Sequence, residues 1–198
     1  MKEKTTGAAL LHTVVINDAY EMWSKLFWDV EVFQDLQRRN PDEKEPLGFA
    51  AINACISISA FVDWVAKAAL GGKKTRFLDD YPEFLMFMAI ANTSKHCRHV
   101  DKDLAPVEAK MIWFDGDEDC APTWALYYVH SGESVTAYEH FDRIKIVAWK
   151  VLEKFELTDD RSSGPEWFQR KMRRIFPPRS QHEIEALIES HQSASGAR

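Results

Sequence analysis

The stretch LGFAAINACISISAFV, Leu47 to Val62, carries no charged residue, and apart from Cys55 its polar side chains are Asn53, Ser57 and Ser59. It is shorter than the roughly 20 apolar residues that a membrane span needs. It reads instead as the middle of a buried helix. Pro46 suits the first turn of such a helix. The helix runs to about Leu70 and stops at Gly71-Gly72. A helix apolar on nearly every face belongs in the centre of a bundle. Its charges are Asp63 and Lys67, spaced by four, so the two side chains can meet on the helix surface.

The flanking segments supply the rest of a bundle. Ala19, Trp23, Leu26, Val30 and Phe33 alternate spacings of four and three and make one apolar stripe. They predict a first helix over residues 8–38, ended by Asn40-Pro41, with Asp42 to Glu45 as a loop. Asp79, Asp80 and Pro82 signal a third helix that reaches about His99, followed by a loop over 100–110. Met111–Phe114 and Trp124–Val129 are rich in β-forming residues. The acidic turn at Asp115-Gly116 joins them into a hairpin, and Gly132 closes the second strand. Phe141, Ile144, Ala148, Val151 and Phe155 predict a fourth helix over 137–155. Two short helices follow near 165–175 and 180–190, separated by Pro177-Pro178, ahead of a polar tail.

Composition narrows the class. A chain of 198 residues with seven tryptophans can bury a core without metal or disulfide staples. A formal net charge of -6 argues against a basic surface over the whole protein for duplex nucleic acid. Three cysteines without paired spacing do not describe a disulfide framework and point to a reducing, cytoplasmic setting. The polar run Met1–Gly7 lacks the apolar stretch of a secretory signal. No Gly-rich phosphate loop, dinucleotide fingerprint or nucleophile-elbow serine is present, so no cofactor is expected. The acidic turn fails the calcium-loop pattern, with Cys120 where glycine is required and Leu126 where the bidentate glutamate belongs.

The richest chemistry lies in Ile90-Ala91-Asn92-Thr93-Ser94-Lys95-His96-Cys97-Arg98-His99. At about 100° per residue, Leu85, Met88, Asn92, His96 and His99 share one stripe, with Lys95 at its edge. If Leu85 and Met88 face the core, Asn92, Lys95 and His96 lie in or beside the interior and need partners. Asp63, the acid of the central helix, is the natural partner for Lys95 or His96, because a buried carboxylate is costly unless paired. Three readings follow. The cluster is a polar network that fixes helix register. Or it is a site in which His96 moves protons and Lys95 steadies an anion. Or His96, His99 and Asp63 hold a metal ion, a reading that no Cys pair or Glu-x-x-His motif supports.

The segments Asn53-Ala54-Cys55 and Phe61-Val62-Asp63-Trp64-Val65, followed by Asn92-Thr93-Ser94-Lys95-His96, resemble a bacterial and phage group of HEPN-like proteins. In that group an Asp-Trp pair on the second helix precedes an Asn-x-x-Lys-His motif on the third. The resemblance covers about residues 10–155. It implies an antiparallel helical bundle that dimerises. It also implies a metal-independent endoribonuclease of a toxin or phage-defence type, with His96 matching the family histidine. The family arginine has no counterpart, since apolar residues and Asn92 occupy the corresponding positions. Lys95 is the cation at hand, with a geometry unlike a guanidinium.

The expected fold is therefore mainly α, a HEPN-like antiparallel bundle over residues 1–158 with a small β-hairpin between the third and fourth helices. Residues 159–198 form a short helical appendage and not an independent domain. The expected site is His96, Lys95 and Asn92, supported by Asp63, Lys67 and His99, with no metal. Arg170, Lys171, Arg173 and Arg174, interleaved near Trp167 and Phe168, are either RNA contacts or a solvated helix face. The expected partners are a second copy of the chain and either RNA or a partner protein, with no membrane. The competing functional expectations are a non-catalytic interaction or dimerisation bundle with a structural polar network, and a metal-dependent enzyme.

Overall fold

A computed structural model describes residues 13–39, 42–96, 107–118, 121–130 and 132–175. The chain divides into two compact units, residues 1–159 and 160–198. The first is mainly helical with a three-stranded antiparallel sheet of order β1-β2-β3. Its elements are α1 (Ala19–Arg39), α2 (Lys44–Ala69), α3 (Lys74–Asp80), a 3-10 turn (Pro82–Phe84), α4 (Leu85–His96), β1 (Glu108–Phe114), β2 (Thr123–His130), β3 (Glu133–Thr136) and α5 (Ala137–Lys154). The second unit holds α6 (Glu166–Ile175). The expected helix over 180–190 lies outside the described residues.

The apolar stripe of α1 is buried throughout: Ala19, Trp23, Leu26, Val30 and Phe33. The helix starts at Ala19, because Asp18 caps it by accepting a 2.8 Å hydrogen bond from the Glu21 amide, and the expected helical residues 8–12 lie outside the described residues. A four-residue connection makes α2 antiparallel to α1. Lys25 Nζ donates to Asp29 at 2.6 Å and to Ser57 Oγ at 2.7 Å, and Ser57 also donates to Asp29. This triangle satisfies a buried hydroxyl midway along α2.

By length and composition α2 could cross a membrane, but most of its apolar run is buried inside the bundle. It starts at Lys44, so part of the expected loop is its first turn. A short α3, not anticipated, precedes the expected third helix and buries Phe77. The rings of Phe61, Phe77 and Phe84 gather there, with Phe84 5.2 Å from Phe77 and 6.0 Å from Phe61.

That aromatic cluster turns α4. Phe84 of the 3-10 turn lines up with Phe87 and Ala91 of α4 in one buried stripe, together with Met86 and Ala89. Leu85, Met88 and Asn92, expected to face the core, are half-buried. The true stripe lies one residue, about 100°, from the expected one, because two phenylalanines outcompete Leu85 and Met88 for the interior.

The hairpin is longer than expected and has a third strand. Gly132, at φ +85, follows the end of the second strand, as expected. It belongs to a two-residue connection that pairs His130 of β2 with Glu133 of β3. Thr136 then caps α5, accepting from the Glu139 amide at 3.2 Å and donating to Glu139 Oε2 at 3.0 Å. Phe141, Ile144, Ala148 and Val151 are buried as the sequence predicts.

Helices α1 and α5 are joined by a polar network. Lys145 Nζ lies 3.2 Å from Glu31 Oε1, 3.2 Å from Gln34 Oε1 and 3.0 Å from Asp142 Oδ1. Gln34 Nε2 donates to Asp142 Oδ1 at 2.8 Å, and the ammonium sits 4.8 Å over the Phe27 ring. Every charge in it has a partner.

Candidate functional site

One open cleft in the first unit gathers groups capable of chemistry. It has a volume of about 290 Å³ and lies where the start of α4, the sheet and the start of α5 converge. Phe87, Tyr128 and Ile144 give it an apolar lining, while His130, His140, Arg143, Glu83 and Glu133 supply its polar groups.

Local structure explains the convergence. Strand alternation puts Tyr128 and His130 on one face of β2. Helical spacing puts His140, Arg143 and Ile144 together on α5. The hairpin turn brings Glu133 opposite His130. The α4 start contributes Phe87, whose ring meets the His140 imidazole edge-on at 6.1 Å and 86°. Tyr128 stands 6.3 Å from His140 on another side.

Electrostatics bear on His140. Burial lowers the pKa of His140 from its ordinary 6.5, and the Arg143 charge lowers it further against an opposing pull from Glu139. His140 is therefore neutral at physiological pH and ready to accept a proton. His130 Nδ1 is sealed from solvent and has no hydrogen-bond partner among the described residues. Beneath the cleft, the Tyr128 hydroxyl lies 3.7 Å from Cys55 Sγ. Burial pushes the Cys55 thiol up to about 12 and the Tyr128 phenol well above its ordinary value. Both stay protonated, so they act as packing and as a fixed wall rather than as reactive groups.

The residues expected from sequence lie elsewhere. Lys95 and His96 are exposed in the last turn of α4, Asn92 is half-buried, and His99 lies outside the described residues. The rise of α4 places His96 about 14 Å along the axis from Phe87, at the far end from the cleft. Asp63 does not meet them: it forms its ion pair with Lys74 of α3, and Lys67 is exposed. Among the described residues no hydrogen bond or ion pair joins Asp63 to Asn92, Lys95 or His96. The sealed register-fixing network is thereby corrected, because α4 is rotated and Lys74 is nearer. The metal reading loses Asp63 for the same reason. Among the described residues no group of three or more His, Cys, Asp or Glu side chains is placed to hold a metal ion. Arg170, Lys171, Arg173 and Arg174 all lie on α6, in the second unit.

The sequence reading missed the cleft for one reason. It ended the second strand at Val129, so His130 never joined Tyr128 on the strand's inner face. Compared with family models, with curated proteins and with solved structures, the chain gives no match in any of the three.

Proposed function

We propose that this chain is an RNA-directed, HEPN-like protein of a toxin or phage-defence type that cleaves RNA without a metal, with the two-histidine cleft as its working site. One observation carries the reading: a neutral imidazole, a second imidazole and a guanidinium line one open cleft with an apolar wall. Such a set is suited to moving a ribose 2′-hydroxyl onto its neighbouring phosphorus. His140 takes the 2′-hydroxyl proton as the O2′–P bond forms. His130 gives a proton to the departing 5′-oxygen as the P–O5′ bond breaks. The products are a 2′,3′-cyclic phosphate and a 5′-hydroxyl. Arg143 holds the phosphoryl oxygens, a task for which a guanidinium fork is suited.

The test is cleavage of single-stranded RNA in the presence of chelator by the wild type and by His140→Ala, His130→Ala and His96→Ala. Loss of cleavage in folded His140→Ala and His130→Ala, with His96→Ala active, supports the cleft. Loss in His96→Ala alone moves the chemistry to the exposed Lys95–His96 end of α4. No cleavage by the wild type rejects the ribonuclease reading.

A second reading, a non-catalytic interaction bundle that pairs with its own copy, is favoured by a different observation. Trp28 on α1 and Phe49 on α2 are 51% and 65% exposed, and Val32 lies one turn from Trp28. Sedimentation of the wild type against Trp28→Glu/Phe49→Glu tests it: a dimer that the substitutions split supports this reading, and a wild-type monomer removes it.

A further inference from the structure

Helix α6 concentrates positive charge in an acidic chain. Its sequence, EWFQRKMRRI, holds four cations and one acid in ten residues, whereas the whole chain carries -6. At about 100° per residue, Arg170, Arg173 and Arg174 fall within an arc of about 100°. The opposite side carries Phe168, Lys171, Met172 and Ile175. The arginine side is open. Arg173 and Arg174 are exposed, and no described residue pairs with either. Arg170 is held outward by Glu166, Nη1 to Oε1 at 2.6 Å, one turn earlier.

Three features identify the occupant. The cations on the open side are all arginine, whose planar fork matches phosphate oxygens two at a time. The arginines are spaced along about 6 Å of axis, which suits a row of anions rather than a single one. A membrane surface would need the apolar side to insert, and there Phe168 and Met172 are half-buried and Ile175 is exposed. One exposed apolar residue stands against three exposed arginines on this helix, so the partner is a polyanion held mainly by charge.

We infer that the arginine face of α6 is a docking surface for the phosphate backbone of single-stranded RNA. The choice of RNA among polyanions rests on the reading of the cleft given above. The surface supplies affinity without base readout, and cleavage remains with His130 and His140.

The experiment measures binding of a fluorescent 2′-O-methyl oligouridylate, which cannot undergo the cleavage step, over a range of salt concentrations. Full-length wild type is compared with Arg170→Gln/Arg173→Gln/Arg174→Gln, and both are also assayed for cleavage of a dinucleotide, the smallest substrate for the cleft reaction. The expected result is at least a tenfold weaker affinity. The slope of log K against log salt should fall by about 2, since each neutralised phosphate contributes roughly 0.7 on a single strand. Far-UV circular dichroism should be unchanged. Equal affinity and slope in the two proteins would overturn the inference. So would unchanged RNA binding together with loss of binding to phosphatidylserine vesicles, which would assign the face to a membrane. A dinucleotide cleaved equally well by both proteins leaves the cleft reading intact whatever α6 does. A reduced slope with no cleavage by either protein would keep the docking surface and reject the cleft as a nuclease site.

Discussion

The Lys145 network and the His140 cleft share helix α5, yet they treat buried polarity in opposite ways. In the network, the Lys145 and Glu31 side chains are only 13% and 10% exposed, and each charge is met by another polar group. In the cleft, His130 Nδ1 has no partner among the described residues and His140 is biased toward its neutral form. A saturated cluster holds two helices in register and has no capacity left for a ligand. The cleft instead is open and carries the polar groups of His140, Arg143 and Glu133 in its lining. The contrast makes the first region structural and supports the proposal that the second is the working site.

The largest expected effect breaks the cleft. His140→Ala should lower kcat/KM for RNA by about 10²–10⁴, the usual contribution of a positioned acid or base, while urea unfolding shifts by no more than about 1 kcal/mol. A large stability loss with activity kept would reverse the assignment of the two regions. The network should behave in the opposite manner. Lys145→Ala removes the ammonium that faces the buried Glu31 carboxylate and should cost about 3 kcal/mol in urea unfolding. The paired replacement Glu31→Leu/Lys145→Met should recover most of that loss, because no unpaired charge remains.

A smaller effect sharpens the electrostatics of the cleft. Around His140 stand Arg143 and Glu139 on its own helix, Glu83 on the 3-10 turn, and Tyr128, His130 and Glu133 on the strands. With its pKa lowered, the acidic limb of the wild-type pH–rate profile should lie below 6.5. Arg143→Gln removes one of the lowering causes, so the limb should move to higher pH. Stability carries the same sign. The unfolded chain binds a proton at this histidine more readily than the folded one does. The contribution is therefore fully present above about 6.5 and is lost as pH falls through the lowered folded value. The smallest effect belongs to the far end of α4. His96→Ala removes an exposed side chain and should change stability by no more than about 0.5 kcal/mol.

Much of the bundle was legible in the sequence because periodicity reports burial directly. The stripes of α1 and α5 hold large apolar residues at unbroken spacing, and no neighbour contests them. In α4 the pattern is ambiguous, since Phe84-Leu-Met-Phe-Met88 offers apolar residues on every side. Only the aromatic cluster with Phe61 and Phe77, brought in by tertiary packing, decides which side turns inward. The site was illegible for a related reason. Asn92, Lys95 and His96 cluster in sequence, whereas Glu83, His130 and His140 are far apart in sequence and meet only through the sheet and α5. The start of α1 is set by the Asp18 cap, a local hydrogen bond that the helical pattern around it does not reveal.

The most direct test of the cleft as the working site is side-chain NMR of the histidines, titrated with pH and then with uridine 3′-phosphate. The account predicts that His140 titrates below 6.5, that its resonances and those of His130 move on adding the nucleotide, and that His96 stays in place. A nucleotide that shifts His96 while His130 and His140 remain unchanged would contradict it.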